Sequence, residues 1–397
     1  MMRFCPMTIY DFVFVLPTFS KKYPSGGQDI VYRLASGLIK RKFKVAIVFT
    51  VDPYKYVQKY IPDNNLTKME PEKQHPILRR LIYGGRFTWV YRNWHMISKF
   101  VFKNDYDYSI LKKVDFYLVA NVEDLNLKFK RIVATAWSTA YFVKEILEKV
   151  SDVEGYYFIQ NSEDDPSFSS QNSKNASDTY DFNLKKIVIN RKLYERFHEE
   201  EPLFLHIGID TEFYKLLNPI KKRDFDVLFP FRYGESKGFR IALESIQKLI
   251  GSNLNIKISA YGNVKKEHIP GSILSSISYS WFPTRYALRE LYNNSKIFIL
   301  PSLVEGMPSP PLEAMSCGAA VISTDNGGSN EYLVNNENGI ICPTNNSDCL
   351  FEKTLRLLEN NSEMDILIHN GFKTSKKFSY ENMVEEFVRI MGLDSIS

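Results

Sequence analysis

Two glutamates eight positions apart, Glu305 and Glu313, bracket a loop in the stretch KIFILPSLVEGMPSPPLEAMSCGAAVISTDNGGSNEYLVNNENGIICP. Between them lie Gly306, Met307 and Ser309, whose backbone N–H groups, with those of a helix start, suit an anion such as a phosphate. Carboxylates suit the hydroxyls of a sugar or a ribose. A second element carries the opposite charge: in FRYGESKGF, Arg232 and Lys237 stand in a loop that follows one apolar run and opens another periodic segment. A guanidinium fork and an ammonium point charge there neutralise a diphosphate leaving group. The two elements together fit a nucleotide sugar. The GxxxxGK[ST] spacing of a P-loop is missing, which argues against an ATPase.

These residues must be held by strands and helices. Glu305 follows an apolar run that ends at Pro301-Ser302, and Pro310-Pro311 begin a short helix expected to carry Glu313 in its first turn, where a missing N–H costs nothing. Gly318 closes that helix, and Asp325-Asn326-Gly327-Gly328 forms a second loop leading into a helix with Glu331. Both loops fall at carboxyl ends of strands, where open α/β sheets bind ligands.

Short β-rich runs alternate with amphipathic stretches over the whole chain, the pattern of βαβ units on a parallel sheet. In the first half, strands are expected at Phe12–Leu16, Val45–Thr50, Phe116–Val119, Ile132–Thr135, Tyr156–Ile159, Ile187–Ile189 and Phe204–Ile207, with a helix after the Gly26-Gly27 turn in SGGQDIVYRLASGLIKRKFK. The second half repeats the pattern with strands near Asp226–Pro230, Ile256–Tyr261, Ile297–Leu300, Ala320–Ser323 and Gly339–Ile341. Its helices fall near Gly238–Ile250, Ala287–Tyr292, Pro311–Met315 and Cys349–Glu359, and Tyr380–Met391 reads as a terminal helix. The join lies around Asp210–Arg223, giving domains over 1–210 and 211–378 and a terminal helix in 379–397. Two segments break the rhythm. Ser162–Asp181 is Ser-, Asn- and Asp-rich and reads as an exposed loop, while 78–102 interleaves Arg79, Arg80, Arg86 and Arg92 with Trp89, Tyr91 and Trp94. The latter suits contact with a membrane surface, a nucleic acid or an oligosaccharide, or else an amphipathic insertion packed on the first domain.

Composition sets the bounds. The chain has 397 residues, 44% of them hydrophobic, enough for two domains without a structural metal. Lys and Arg number 51 against 46 Asp and Glu, and the resulting charge of +5 is too mild for a nucleic-acid coat. No apolar stretch approaches the ~20 residues that span a bilayer, and the MMRFCPMTIYDFVFVLP start reads as leading into the first strand, without a signal-cleavage pattern. Cys5, Cys317, Cys342 and Cys349 form no CxxC pair, so the thiols read as reduced and the protein as cytoplasmic.

The ordered motifs resemble those of the GT-B fold family 4 (group 1) glycosyltransferases. EGMPSPPLEAMSCGAAVIST resembles their E-x7-E signature, SGGQDIVYRLASGL their N-terminal Gly-Gly loop and helix, FLHIGIDTEFY their element at the domain join, and FRYGESKGF their Arg and Lys phosphate pair. ATAWSTAYF with YYFIQN resembles a branch that includes bacterial rhamnosyltransferases of surface polysaccharides. The resemblance implies an α/β chain of two facing Rossmann-like domains, with a C-terminal helix crossing back to the first. It implies a retaining, metal-independent hexosyltransferase without a cofactor, moving a sugar from a nucleotide diphosphate sugar to a glycan or lipid-linked glycan, with no nucleic acid as partner. Such an enzyme would work in bacterial surface polysaccharide synthesis at the inner face of the membrane. Residue by residue, Arg232 and Lys237 would hold the diphosphate, Glu313 the ribose, and Glu305 the transferred sugar. Gly26 and Gly27 would let backbone approach the phosphates or the reacting centre, and Gly327 and Gly328 would shape the adjoining loop.

Two departures stand out. Pro308 replaces a Gly common in the family's E-G-F-G and removes a backbone donor, and Gln160-Asn161 stand where relatives place a His, leaving Gln160 a hydrogen-bonding rather than a catalytic role. A nucleotide-sugar 2-epimerase shares the architecture, and a non-catalytic glycan- or membrane-binding protein is a further alternative. The Asp105/Asp107 and Asp224/Asp226 strings match the D-x-D of metal-dependent sugar transferases, although the second better marks the turn into a strand. His206 reads as packed near the domain join rather than as catalytic.

Overall fold

The computed structural model describes residues 8–17, 25–50, 108–119, 121–165, 173–252 and 254–393; the Arg- and Trp-bearing segment 78–102, Cys5 and the Asp105/Asp107 string lie outside them. Two compact units result. One contains the chain to Ile189, Leu193–Leu205 and everything from Val384 on; the other contains Asn190–Lys192 and His206–Met383.

Described strands of the first unit are β1 (Ile9–Tyr10), β2 (Phe12–Leu16), β3 (Val45–Thr50), β4 (Asp115–Val119), β5 (Lys128–Phe129), β6 (Arg131–Ala134), β7 (Glu154–Ile159), β8 (Lys185–Val188) and β9 (Leu203–Phe204). Seven of them form a parallel sheet in the order β4-β3-β2-β6-β7-β8-β9, and β1 pairs with β5 alone. β2 and β3 read FVFVL and VAIVFT and are buried along their whole length, as expected of strands covered on both faces. The helix Gly26–Lys40 starts at Ser25, whose hydroxyl accepts from the Gln28 N–H while the Gln28 side chain accepts from the Ser25 N–H. Its Ile30, Val31, Leu34 and Leu38 point inward at helical spacing.

The last helix, Tyr380–Ile390, completes this unit. Phe387 is fully buried, with its ring 5.4 Å from that of Phe12 and 6.3 Å from that of Phe14. Val384 presses on the helix Gly26–Lys40 at Gly37, where any side chain would begin 2.4 Å from a Val384 methyl.

In the second unit, β10 (Phe225–Phe231), β11 (Ile258–Gly262), β12 (Ile277–Trp281), β13 (Ser295–Leu300), β14 (Ala320–Thr324) and β15 (Ile340–Cys342) form a parallel sheet ordered β12-β11-β10-β13-β14-β15. The chain runs outward from β10 to β12 and then returns to the other side of β10 with β13. That reversal leaves a crevice at the carboxyl ends of β10 and β13, the switch point where doubly wound sheets take ligands. Phe229, Phe231, Ile299, Ile322 and Leu350 form part of the core beneath it.

Most expected elements appear within a few residues of their expected ends, and several features differ. The edge strand β12 is half-exposed and the helices Trp137–Leu147 and Asn361–Lys377 were not anticipated. Ser162–Asp181 is not simply an exposed loop: Ser173–Asp178 is helical, and Asn175, Ala176, Thr179 and Tyr180 are buried. Cys342 and Cys349 are joined in a disulfide with Cα atoms 5.8 Å apart, against the expectation of four reduced thiols, because the end of β15 and the first turn of the helix Ser347–Glu359 bring them together; Cys317 is a buried free thiol. Glu331 ends a single 3-10 turn, Ser329–Glu331, rather than riding on a full helix. Asp226 begins β10 and takes Lys296 at 2.7 Å, at the opposite end of that strand from the crevice. No helix among the described residues is long and apolar enough to cross a membrane.

Replacing Phe387 by Ala removes a ring from the first unit's core, so urea denaturation of the variant should show a loss of about 3–5 kcal/mol.

Candidate active site

The crevice of the second unit is closed below by two interlocked loops. Arg232 leaves β10, the chain turns through Gly234, and a 3-10 turn, Glu235–Lys237, leads to Gly238. Gly238 has a left-handed φ of 65°, and a Cβ there would stand 1.9 Å from the Pro301 carbonyl oxygen, so only glycine lets this loop rest on the end of β13. The Leu303 N–H donates to the Ser236 carbonyl at 2.7 Å and ties the loops together.

Glu305 is thereby brought against Lys237, with Nζ 2.8 Å from Oε2; the two side chains are 10% and 21% exposed. Its other oxygen, Oε1, is buried without a hydrogen-bond partner among the described residues. A buried carboxylate oxygen with no donor carries a desolvation cost that a ligand hydroxyl would remove. Arg232 lies close by. Burial alone pulls its guanidinium downward, but Tyr261, Glu305, Tyr292 and Glu313 outweigh that effect and hold it raised, a fixed cation.

Glu313 is not in the first helical turn, as expected, but in the second turn of the helix Ser309–Ser316. The helix starts one residue ahead of the two prolines, so Glu313 is positioned less by the helix dipole than by Tyr292, whose hydroxyl donates to its Oε2 at 3.0 Å. Since Pro310 and Pro311 occupy early helical positions and carry no N–H, the local donors for an anion reduce to those of Gly306, Met307 and Ser309. Gly306 and Met307 are buried.

The adjoining Asp325–Gly328 loop is fixed by Asn326. Its side-chain oxygen accepts from the N–H groups of Gly328 and Ser329 at 3.1 and 2.8 Å, and the Glu305 N–H donates to its carbonyl at 3.0 Å. Gly328 passes so close to Gly306 that a Cβ would meet the Gly306 oxygen at 2.5 Å, whereas Gly327, with φ 82°, has open space around it. Asn190 donates to the same Gly306 oxygen at 2.8 Å. Glu331 accepts from the Arg191 N–H at 2.7 Å and meets His206 at 3.4 Å, while the His206 ring packs edge-on against Phe378. The His206 side chain is 40% exposed.

In the first unit, Gly27 lies beside Gln160, and a Cβ there would come within 2.9 Å of Oε1; Gly26 faces open space. The side-chain oxygens of Gln160 and Asn161 are buried without partners among the described residues. Nearby, Glu163 accepts from the Trp137 N–H at 2.9 Å and from the Tyr157 hydroxyl. Burial pushes its carboxyl up to about 7 despite those donors. The structure therefore brings Arg232, Lys237, Glu305 and Glu313 together in one unit with Gly306, Met307, Ser309, Gly327 and Gly328, and places Gly26, Gly27 and Gln160 in the other. Tyr261, Tyr292, Asn326, Asn190 and Glu163 were not foreseen. A lone Tyr or Asn in a strand or helix carries no spacing signal for the hydrogen bond at its tip.

Residues 210–374 match the family model for glycosyl transferases group 1. The match falls within the second unit and takes in the Arg232, Lys237, Glu305 and Glu313 loops. It is 26% identical over 187 residues to the capsular polysaccharide biosynthesis glycosyltransferase CapM of Staphylococcus aureus, covering 45% of this chain and 47% of that protein. An uncharacterised glycosyltransferase of Methanocaldococcus jannaschii is 29% identical over 160 residues, covering 40% of this chain and 45% of the relative. The chain thus spans about half the length of these curated relatives. The fold extends further: the crystal structure of Anabaena HepE in complex with UDP superposes with a TM-score of 0.67 at 13% identity, covering 96% of this chain and 99% of that one. Sucrose-phosphate synthase from Thermosynechococcus elongatus gives 0.66 at 12% identity over 96% of this chain and 98% of that one. The chain therefore has the GT-B fold, with the end of its last described helix, from Val384 on, packed in the first unit.

Two outcomes follow from this geometry. Replacing Lys237 by Met leaves Glu305 buried without its cation and should lower stability by about 1–3 kcal/mol in urea denaturation, the scale of a lost charged hydrogen bond. For Glu163 the folded carboxyl titrates near 7 against an ordinary 4.5, so the native state binds the extra proton. The stability it contributes is complete below about 4.5 and lost as pH rises through about 7. Unfolding free energy measured across that window should fall more steeply for the wild type than for Glu163→Gln.

Proposed function

We propose that the protein transfers a sugar from a nucleotide diphosphate sugar to a hydroxyl of a glycan or lipid-linked glycan. The observation that carries this reading is the buried Glu305, neutralised by Lys237 on one oxygen, open on the other, and set beside Arg232 at the switch point of a nucleotide-type sheet. In this reading Arg232 and Lys237 hold the diphosphate and stabilise the charge that grows on it as the glycosidic bond breaks. Glu305 accepts from hydroxyls of the transferred sugar, and Glu313 accepts from those of the ribose. The N–H groups of Gly306, Met307 and Ser309 add neutral donors to the phosphates.

The acceptor is assigned to the first unit, where the unpartnered oxygens of Gln160 and Asn161 at the end of β7 can take hydrogen bonds from a glycan hydroxyl. Gly26 and Gly27 open the start of the adjacent helix beside them. Transfer proceeds with retention of anomeric configuration and without a metal, the leaving diphosphate being met by fixed cations and amides. CapM and an N-acetylgalactosaminyltransferase of Campylobacter jejuni, named for the substrate N,N'-diacetylbacillosaminyl-diphospho-undecaprenol, support bacterial surface polysaccharide synthesis with a lipid-linked acceptor. Such a substrate would draw the enzyme to the inner face of the membrane.

Purified protein incubated with nucleotide sugars and polyprenol-linked glycans should release nucleoside diphosphate and elongate the acceptor. Glu305→Ala should lower turnover at least about a hundredfold while nucleoside diphosphate affinity changes little, the signature of a contact to the transferred sugar. Lys237→Ala should weaken the nucleoside diphosphate itself. Epimerised donor in the absence of any acceptor would instead identify an epimerase.

A further inference from the structure

Arg232 and Glu313, the proposed phosphate and ribose contacts, are joined by two buried phenols. The Tyr292 hydroxyl donates to Glu313 Oε2 at 3.0 Å, the hydroxyls of Tyr261 and Tyr292 are 3.0 Å apart, and the buried Arg232 guanidinium interacts electrostatically with Tyr261. The proton inventory sets the direction of each link. A phenol has one O–H; that of Tyr292 goes to the carboxylate, so Tyr261 must donate to Tyr292. Tyr261 then has only lone pairs left, and a guanidinium can only donate. The result is a one-way pair of hydrogen bonds, Tyr261 to Tyr292 to Glu313, whose Tyr261 end is coupled to the Arg232 cation by charge.

Four separate elements contribute: the loop after β10, the end of β11, the helix Arg285–Asn293 and the helix Ser309–Ser316. Tyr292 is completely buried and Tyr261 is 4% exposed, and the Tyr292 ring is packed edge-on by Tyr214, Tyr261 and Phe298. Burial pushes the Tyr261 hydroxyl up to about 12 and that of Tyr292 further, so both stay protonated across the physiological range. Purely apolar packing would be met by Phe at both positions. Hydroxyls buried here are useful only in fixing the groups at either end.

We infer that Tyr261 and Tyr292 are positioning residues that hold Arg232 and Glu313 as one rigid receptor for a nucleoside diphosphate. The inference rests on the functional reading above. A relay differs from two independent contacts in one measurable respect: cutting either link releases both ends, because each bond polarises the next.

The test uses the full chain and the variants Tyr261→Phe, Tyr292→Phe and the double substitution, with UDP, GDP, ADP and CDP affinities read by calorimetry. Each single variant should weaken the preferred diphosphate about fivefold, the scale of one hydrogen bond, and the double variant should lose no more than about tenfold. With a transferable donor, KM should rise and kcat stay nearly constant, since these contacts exist before and during reaction. Unchanged affinity in the single variants, or a double loss equal to the product of the singles, would overturn the relay. If the wild type binds none of the four diphosphates, the functional reading fails separately. Urea denaturation of the same three variants then decides the relay, with sub-additive losses upholding it and additive losses overturning it.

Discussion

A carboxylate removed from water must meet positive charge or become neutral, and Glu305 imposes that requirement on the second unit. Its side chain is 10% exposed, and Lys237 answers it from a loop that belongs to another strand. For that loop to arrive, Gly238 must lie on the Pro301 carbonyl, and for the glutamate's own loop to stay in place, Gly328 must pass within backbone contact of Gly306. The glycines, the inter-loop hydrogen bond from Leu303 and the Asn326 bracket can all be read as the apparatus that keeps one anion beside its cation. One oxygen of that anion has no donor among the described residues.

Charge and sheet topology combine here. Parallel strands connected by right-handed crossovers reverse direction once, between β10 and β13, and both charged loops issue from that reversal. Arg232 follows the last residue of β10 directly and cannot move far from it, whereas Lys237 reaches inward from the following turn. The first unit is organised on the same plan, with Gln160 at the end of β7 and Gly27 at the start of a capped helix, but it presents neutral amide oxygens instead of charge.

How much of this was legible beforehand follows from the range of each signal. Buried parallel strands such as FVFVL and IFIL announce themselves because every residue is apolar, and Glu305, Arg232 and Lys237 stood out because charge just beyond such a run is conspicuous, with Glu313 eight positions on from Glu305. β12 escaped notice because ISYSW is an edge strand whose alternating polar residues imitate a loop. The position of Glu313 was misjudged by a turn, since a double proline marks a helix start only to within a residue or two. The disulfide between Cys342 and Cys349 has no signature at a spacing of seven, and the phenol relay has none at all, because it depends on where four distant elements bring four side-chain tips.

The chain's end also bears on how it is made. Phe387 and Val384 fill the core of a unit whose strand β2 was synthesised more than 360 residues earlier, so Phe12 and Phe14 emerge from the ribosome before the Phe387 ring that packs on them. The second unit has all its strands in one continuous stretch and can close as soon as that stretch is out. The cover of the first unit's sheet is thus made after every strand of the second unit.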